Sequence, residues 1–165
     1  MRKIIFTLSL LFTIAMGYTQ SLPDYDAIPL KAEGDYKPAE GAALQASNYL
    51  LSIPVRTDTV EEAKSAAFMI KWMMGTPDYT FSMESTEEIM GNDDNIMTIY
   101  MAAMTKFCLE NKSLAKDQAA VKIGTWKIIA DYIDNPAHKV KQTKKMKKLI
   151  EANKSGKLEE FLKDK

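Results

Sequence analysis

The chain has 165 residues, 46% of them hydrophobic, and its 22 basic side chains balance its 22 acidic ones. That length suits one domain behind a short leader. A single cysteine excludes an internal disulfide, and seven glycines and six prolines are too few for an all-β fold rich in tight turns. No nucleic-acid-binding motif is present, so we expect no nucleic-acid partner.

Residues 1–19 have the layout of a secretory signal peptide. Two cationic residues precede an apolar run from Ile4 to Ala15, which is too short for a membrane-spanning helix of about 20 residues. Cleavage after Gly17 fits the preference for small residues at the site, and cleavage after Thr19 is the other option. No later apolar run is long enough to span a bilayer. We therefore expect an exported protein, periplasmic or extracellular, without a membrane span in the mature chain.

Residues 20–37 contain two prolines, one glycine and four acidic residues without a clear period, and we interpret them as an irregular leader. We expect residues 38–165 to form a single helical domain. Its first helix follows Pro38, spans 39–51 and ends before Pro54, because the residue before a proline disfavours helical dihedral angles.

The second helix begins at a capping box, in which the Thr59 hydroxyl accepts an amide and the Glu62 carboxylate reaches back. Gly75 and Pro77 end this helix. Its apolar residues recur at helical spacing, as Ala63, Ala66, Ala67, Ile70, Met73 and Met74. Three larger residues widen the stripe: Phe68, Met69 and Trp72. A helix that is apolar on most sides is expected to be buried against several neighbours.

Further helices follow an extended or turn segment at 78–83, and capping and stop signals delimit them. The capping signals are Ser85 with Glu88, then Asp94 or Asn95, then Asp117. The stop signals are Gly91, Asn135-Pro136 and Ser155-Gly156. The predicted spans are 85–91, 96–111, 117–135 and 143–153, with a last amphipathic turn or two at 158–162.

We therefore predict an all-α fold, an irregular helical bundle of six or seven helices joined by short loops. Two αα-hairpins, residues 39–77 and 96–136, each carry a tryptophan in the second helix and end at a step before proline. Their spacing differs from that of tetratricopeptide repeats, and two hairpins are fewer than a solenoid needs.

Three stretches resemble sequences that recur in small secreted helical proteins of Bacteroidota. They are Trp72–Phe81, Tyr100–Ala103 and Lys147–Ala152. The resemblance covers most of the mature chain. It implies an exported protein of a Gram-negative cell, and it implies no activity, ligand or site residue.

The sequence favours no metal or cofactor site. Four sulfur-bearing residues share one face of the helix predicted at 96–111: Met97, Met101, Met104 and Cys108. Sulfur ligands suit Cu(I), but this spacing is that of a core stripe and extends beyond one coordination sphere. His138 is the only histidine and no haem-attachment motif is present, so we expect a surface or capping role for it. We therefore predict no cofactor.

Motifs for nucleophilic catalysis and phosphate binding are absent. The carboxylates that an envelope hydrolase or lyase could use are Glu84, Glu87, Glu88, Asp93 and Asp94. The pair Glu84-Ser85 is similar to the Glu-Ser pair of lytic transglycosylases. A general acid of this kind needs a raised pKa and therefore burial, whereas a run of solvated carboxylates does the opposite. The same run lacks the spacing of an EF-hand calcium loop.

The candidate binding groove is the aromatic turn that follows the second helix. Its residues are Trp72, Asp78, Tyr79, Phe81 and Met83. Aromatic side chains beside a helix end can line a groove for a peptide or an apolar ligand. The alternative, which we favour, is that these rings fill the gap between two helical pairs.

Charge is unevenly distributed along the chain. Residues 136–165 carry ten lysines against four acidic residues, whereas residues 20–135 carry 10 basic and 18 acidic residues. This basic tail either docks on the acidic body or stays solvated, or it binds a polyanion or a membrane surface.

We predict a non-catalytic protein-interaction or envelope-associated binding domain, whose partner is an unknown protein or envelope component. The alternatives are an envelope hydrolase or lyase and a carrier of a small ligand or metal.

Overall fold

The structure is a computed structural model that describes residues 21–84, 86–91 and 93–163. The predicted signal peptide and the predicted cap Ser85 lie outside these residues. The described residues form seven α-helices and no strand. The helices are α1 (Glu40–Ser52), α2 (Val60–Gly75), α3 (Thr86–Met90), α4 (Asp94–Glu110), α5 (Gln118–Asp134), α6 (Lys144–Lys154) and α7 (Leu158–Lys163). The prediction of an all-α irregular bundle of six or seven helices is confirmed.

Side-chain caps begin three of these helices, two of them at the predicted residues Thr59 and Asp117 and the third at Thr143, which the sequence analysis does not predict as a cap. Thr59 begins α2 by accepting the amide of Glu62 at 3.1 Å, and Asp117 and Thr143 cap α5 and α6. The Glu62 carboxylate does not complete the expected box at α2 but accepts the Thr57 hydroxyl at 2.5 Å. Each satisfied amide removes one of the unpaired donors of a helix start.

The start of α4 differs from the prediction of a helix from Ile96 capped by Asp94 or Asn95. Asp93 is the cap, since its Oδ1 accepts the Asn95 amide at 3.1 Å, and the helix begins at Asp94. The Arg56 guanidinium holds the other oxygen of Asp93 at 2.8 Å. The residue that caps α4 therefore also forms an ion pair with a residue distant in the chain, which local sequence does not reveal.

The two predicted hairpins are present as α1–α2 and α4–α5, and they pack on each other through α1 and α4. The last two helices, α6 and α7, pack against α5 and against each other, and α3 packs on α6. Within the described residues, no helix is both long and apolar enough to cross a membrane.

The segment predicted as an irregular leader contributes to the core. It contains two 3₁₀ turns, Tyr25–Ala27 and Glu33–Asp35. The Tyr25 ring stacks on Phe68 of α2 with ring centroids 4.7 Å apart, and Leu30 is also buried. These contacts fix the leader on one side of α2.

The burial of α2 is narrower than the sequence analysis predicts for a helix that is apolar on most sides. The large residues that widen the predicted stripe are buried, and part of the stripe itself is exposed. The buried residues of this helix are Ser65, Phe68, Met69 and Trp72. Ala63, Ala67 and Met74 of the predicted stripe are exposed. Both faces are apolar, and the face with the larger side chains turns inward because burial stabilises in proportion to the apolar area removed from water.

Candidate functional site

The aromatic residues of the predicted groove form a closed cluster. Trp72 is fully buried, and its indole N–H donates to the Tyr36 carbonyl oxygen at 2.9 Å. The ring centroids of Tyr79 and Phe81 lie 5.6 and 6.1 Å from that of Trp72. The Tyr79 hydroxyl donates to Glu40 Oε1 at 3.0 Å. The cluster therefore joins the end of α2 to the start of α1.

The phenol of Tyr79 is a structural hydrogen-bond donor. Burial, followed by the hydrogen bond and the charge of Glu40, raises the pKa of Tyr79 above its usual value, so the hydroxyl stays protonated. Lys112 holds the second oxygen of Glu40 at 2.5 Å. Of the other two groove candidates, Asp78 is exposed and Met83 keeps 39% of its surface. The five predicted residues thus divide into three packed rings and two exposed side chains.

A cavity of about 90 Å³ lies next to this segment, between residues 82–84 and the helices α4 and α5. Its walls are formed by Ser82, Glu84, Tyr100, Met104, Gln118, Val121 and Lys122. Ligand pockets for drug-sized molecules hold roughly 300–1,000 Å³. A cavity of this size has room only for a few atoms or ordered waters.

The candidate carboxylate Asp93 has the wrong electrostatics for a general acid. Partial burial alone would raise the pKa of Asp93, but hydrogen bonds from Arg56 and Asn95 and the Arg56 charge lower it below its usual value. A general acid needs the opposite shift. Glu84 and Glu87 are exposed, and Glu88 lies 3.4 Å from the Lys145 ammonium.

The sulfur stripe of α4 lies largely in the core. Met104 and Cys108 are buried, and Met97 and Met101 are half-buried. Burial raises the pKa of Cys108 to about 11, so its thiol stays protonated at neutral pH. Among the described residues, no three His, Cys, Asp or Glu side chains come together as metal ligands.

His138 connects two loops. Its ring stacks on Tyr132 with centroids 3.9 Å apart, and its Nδ1 lies 2.8 Å from the Tyr132 carbonyl oxygen. Because that oxygen only accepts, Nδ1 carries the proton. The His138 carbonyl accepts the Val55 amide at 3.0 Å. The half-buried ring therefore helps to hold the loop between α1 and α2 on the end of α5.

The outer side of α6 is strongly basic. Three exposed residues, Lys144, Lys147 and Lys148, lie on it, the first one turn before the other two, and we name them the lysine face. None of the three forms an ion pair with an acidic side chain of the described residues. One acidic residue, Glu151, is exposed one turn after Lys147. The opposite side of α6 buries Met146, Leu149, Ile150 and Ala152.

The outer side of α2 is apolar, and a groove of about 350 Å³ runs along each flank. One groove lies between α2 and the first turns of α4, and the other lies between α2 and Tyr36. Val60 and Met74, near the two ends of the helix, expose 66% and 83% of their surface. The sequence analysis includes Met74, but not Val60, in the stripe expected to be buried. Spacing alone does not say which of two apolar faces turns inward.

Comparisons of the chain with known proteins give no match to a protein-family model, to a curated protein or to a solved structure.

Proposed function

We propose that this chain is an exported, non-catalytic helical domain that associates with the cell envelope by binding an anionic membrane surface. The observation that carries this proposal is the lysine face of α6. Export rests on the N-terminal sequence, and the Gram-negative source rests on the resemblance to small secreted proteins of Bacteroidota.

The charges of the lysine face are available to a partner. Three other lysines of the same region form ion pairs within the chain: Lys145 with Glu88, Lys154 with Asp134 and Lys163 with Glu159, at 3.4, 2.7 and 2.9 Å. The lysine face has no such neutralising partner among the described residues. This unneutralised cluster supports attraction to a negatively charged surface.

The attachment we propose is electrostatic and does not involve insertion. The apolar side of α6 packs on α5 through buried residues such as Leu149, so it is not free to enter a bilayer as the apolar side of an interfacial helix does. Each lysine near an anionic leaflet contributes about 1 kcal/mol. Three lysines therefore give a weak, reversible attachment that salt screens.

The test is co-sedimentation of the purified protein with vesicles of phosphatidylcholine, with and without phosphatidylglycerol, at low and high salt. We expect binding only to the anionic vesicles at low salt. The variant Lys144→Gln/Lys147→Gln/Lys148→Gln is expected to bind about 100-fold more weakly, because about 1 kcal/mol is lost per lysine and 1.4 kcal/mol is a factor of ten.

The matched control is Lys145→Gln/Lys154→Gln/Lys163→Gln, which removes the same number of charges from ion-paired lysines. This control should bind nearly as well as the unchanged protein. Equal loss of binding in both triple variants would show that total charge matters and the lysine face does not. Equal binding to neutral vesicles, or no binding at low salt, would also contradict the proposal.

A further inference from the structure

The outer side of α2 carries an apolar row with the spacing of a helix-pairing surface. The row, which we name the α2 seam, consists of Val60, Ala63, Ala67, Ile70 and Met74. Consecutive members are alternately three and four residues apart, which is the heptad spacing that places side chains along one line of contact between paired helices. The seam is independent of the lysine face, because it lies on a different helix.

The described part of the chain leaves four of the five seam residues exposed, and the fifth, Ile70, is half-buried. The inner side of α2 packs on α1 and α4, and the leader packs beside it through Tyr25. The exposed large apolar side chains of the described residues include Val60 at 66% and Met74 at 83%, against 43% for Leu114 and 39% for Met83. The two most exposed of these side chains therefore lie at opposite ends of one row.

We infer that the α2 seam binds a second copy of this chain, with the two α2 helices antiparallel about a two-fold axis at Ala67. In this register, residues equally distant from Ala67 in opposite directions face each other. Val60 and Met74 are both seven residues from Ala67, so Val60 of each copy packs against Met74 of the other. The most exposed apolar side chains of the helix are thereby buried, which is the main driving force for association.

The flanking charges suit this antiparallel arrangement. Glu61 is exposed near the start of the helix and Lys71 near its end. In the proposed register, Lys71 of one copy lies two residues, about 3 Å of helix rise, from the position of Glu61 in the other. Lys64 would also lie near Lys71 of the second copy, but Asp26 neutralises it, with Nζ and Oδ2 2.6 Å apart.

The small residues at the middle of the seam allow the helices to approach closely. Ala67 lies on the axis and Ala63 is one turn away, so no large side chain separates the two backbones at the centre. The flanking grooves of about 350 Å³ each leave room for the side chains of the second copy. A seam of four turns is at the small end of specific interfaces, so we expect a dimer with a dissociation constant on the order of micromolar.

Sedimentation equilibrium of the purified protein over a range of concentrations tests the association. We expect a monomer–dimer equilibrium that Met74→Glu weakens at least about tenfold, because a carboxylate would face an apolar side chain of the second copy. Met83→Glu is the matched control, since it makes the same change at an exposed methionine outside the seam. A monomer at every concentration, or a dimer that Met83→Glu disrupts and Met74→Glu does not, would overturn the inference.

Single cysteines test the register. Facing helices 8–10 Å apart bring the two Cα atoms on the axis to roughly 4–5 Å, within disulfide reach. Ala67→Cys should therefore form a covalent dimer under mild oxidation, whereas Val60→Cys alone should not, because its two copies are about 21 Å apart along the helices. The double variant Val60→Cys/Met74→Cys should link readily. Cys108 is fully buried and does not compete. Linkage through Val60→Cys alone would indicate a parallel pair and overturn the proposed arrangement.

Discussion

The helices α2 and α5 are the second helices of the two hairpins, and they differ in what covers their outer sides. Both carry a fully buried tryptophan and end just before an x-Pro step. The helices α6 and α7 pack on α5, whose buried residues are Val121, Thr125, Trp126, Ile129, Ala130, Tyr132 and Ile133. The outer apolar residues of α2 have no such cover among the described residues.

The comparison shows that similar local sequence leads to different burial when the chain provides a cover for one helix and none for the other. The cover of α5 is the basic region after Pro136, whose apolar residues turn inward and whose lysines turn outward. The apolar surface left on α2 is of the kind that marks interaction sites. We therefore expect substitutions on the two outer sides to have different effects, as the following predictions specify.

The largest effect is expected where α6 covers α5. Leu149 is fully buried, so Leu149→Ala should lower the free energy of unfolding by about 2–5 kcal/mol through lost burial and the remaining cavity. Met74→Ala on the outer side of α2 should change it by less than about 0.5 kcal/mol at monomer concentrations. Chemical denaturation of both variants measures the difference. Equal destabilisation would mean that α2 is also covered.

The side-chain caps of α2 and α5 should differ in what they contribute to the free energy of unfolding. This difference should be smaller than that between Leu149→Ala and Met74→Ala. Asp117 accepts the amides of Ala119 and Ala120, whereas Thr59 accepts one amide, that of Glu62. We expect Asp117→Ala to cost about 1–2 kcal/mol and Thr59→Ala about 0.5–1 kcal/mol. Asp117→Asn, which preserves a capping oxygen, is the control and should stay near the unchanged protein in thermal unfolding.

The two tryptophans should respond differently to loss of the indole nitrogen. Trp72 donates to the Tyr36 carbonyl at 2.9 Å, whereas the Trp126 nitrogen has no hydrogen-bond partner among the described residues. Trp72→Phe should therefore be more destabilising than Trp126→Phe by about 1 kcal/mol, the net value of one hydrogen bond. Urea denaturation at one pH is sufficient to compare them, and the reverse order would contradict the assigned contact.

The smallest effect concerns the ion pair between the two hairpins, Arg56 with Asp93. The pKa of Asp93 is lowered in the folded chain. The contribution of the ion pair to the stability of the folded chain is therefore complete above the unfolded pKa of Asp93, which is about 4. It is lost as the pH falls through the lower pKa that Asp93 has in the folded chain. Asp93→Asn retains a capping oxygen and removes the charge, so it should cost less than about 1 kcal/mol at neutral pH and nothing at low pH. A loss that is independent of pH would indicate a role unrelated to charge.

Much of the fold follows from signals local in sequence. Thr59 and Asp117 are capping residues that hydrogen-bonding chemistry identifies, and Asn135-Pro136 ends α5 as expected. The cap Asp93 and the inward side of α2 do not follow from local sequence. Asp93 forms an ion pair with Arg56, which is distant in the chain. The inward side of α2 depends on which of its two apolar sides meets α1.

The candidate site, like the fold, is only partly predictable from signals local in sequence. The sequence identifies the aromatic cluster around Trp72 but does not distinguish a groove from a packed contact, because the Tyr36 and Glu40 partners come from another part of the chain. The lysine count of the tail is visible in the sequence. Which lysines are paired depends on the three-dimensional positions of Glu88 and Asp134.

The central claim is that the outer side of α2 is apolar because a second copy of the chain covers it. Methyl NMR of isotope-labelled methionines over a concentration series tests this claim most directly. The account predicts that the Met74 methyl resonance shifts as the concentration rises through the dissociation constant, whereas those of Met83 and buried Met146 stay constant. A Met74 resonance that does not move up to millimolar concentration, while the protein remains folded, would contradict it.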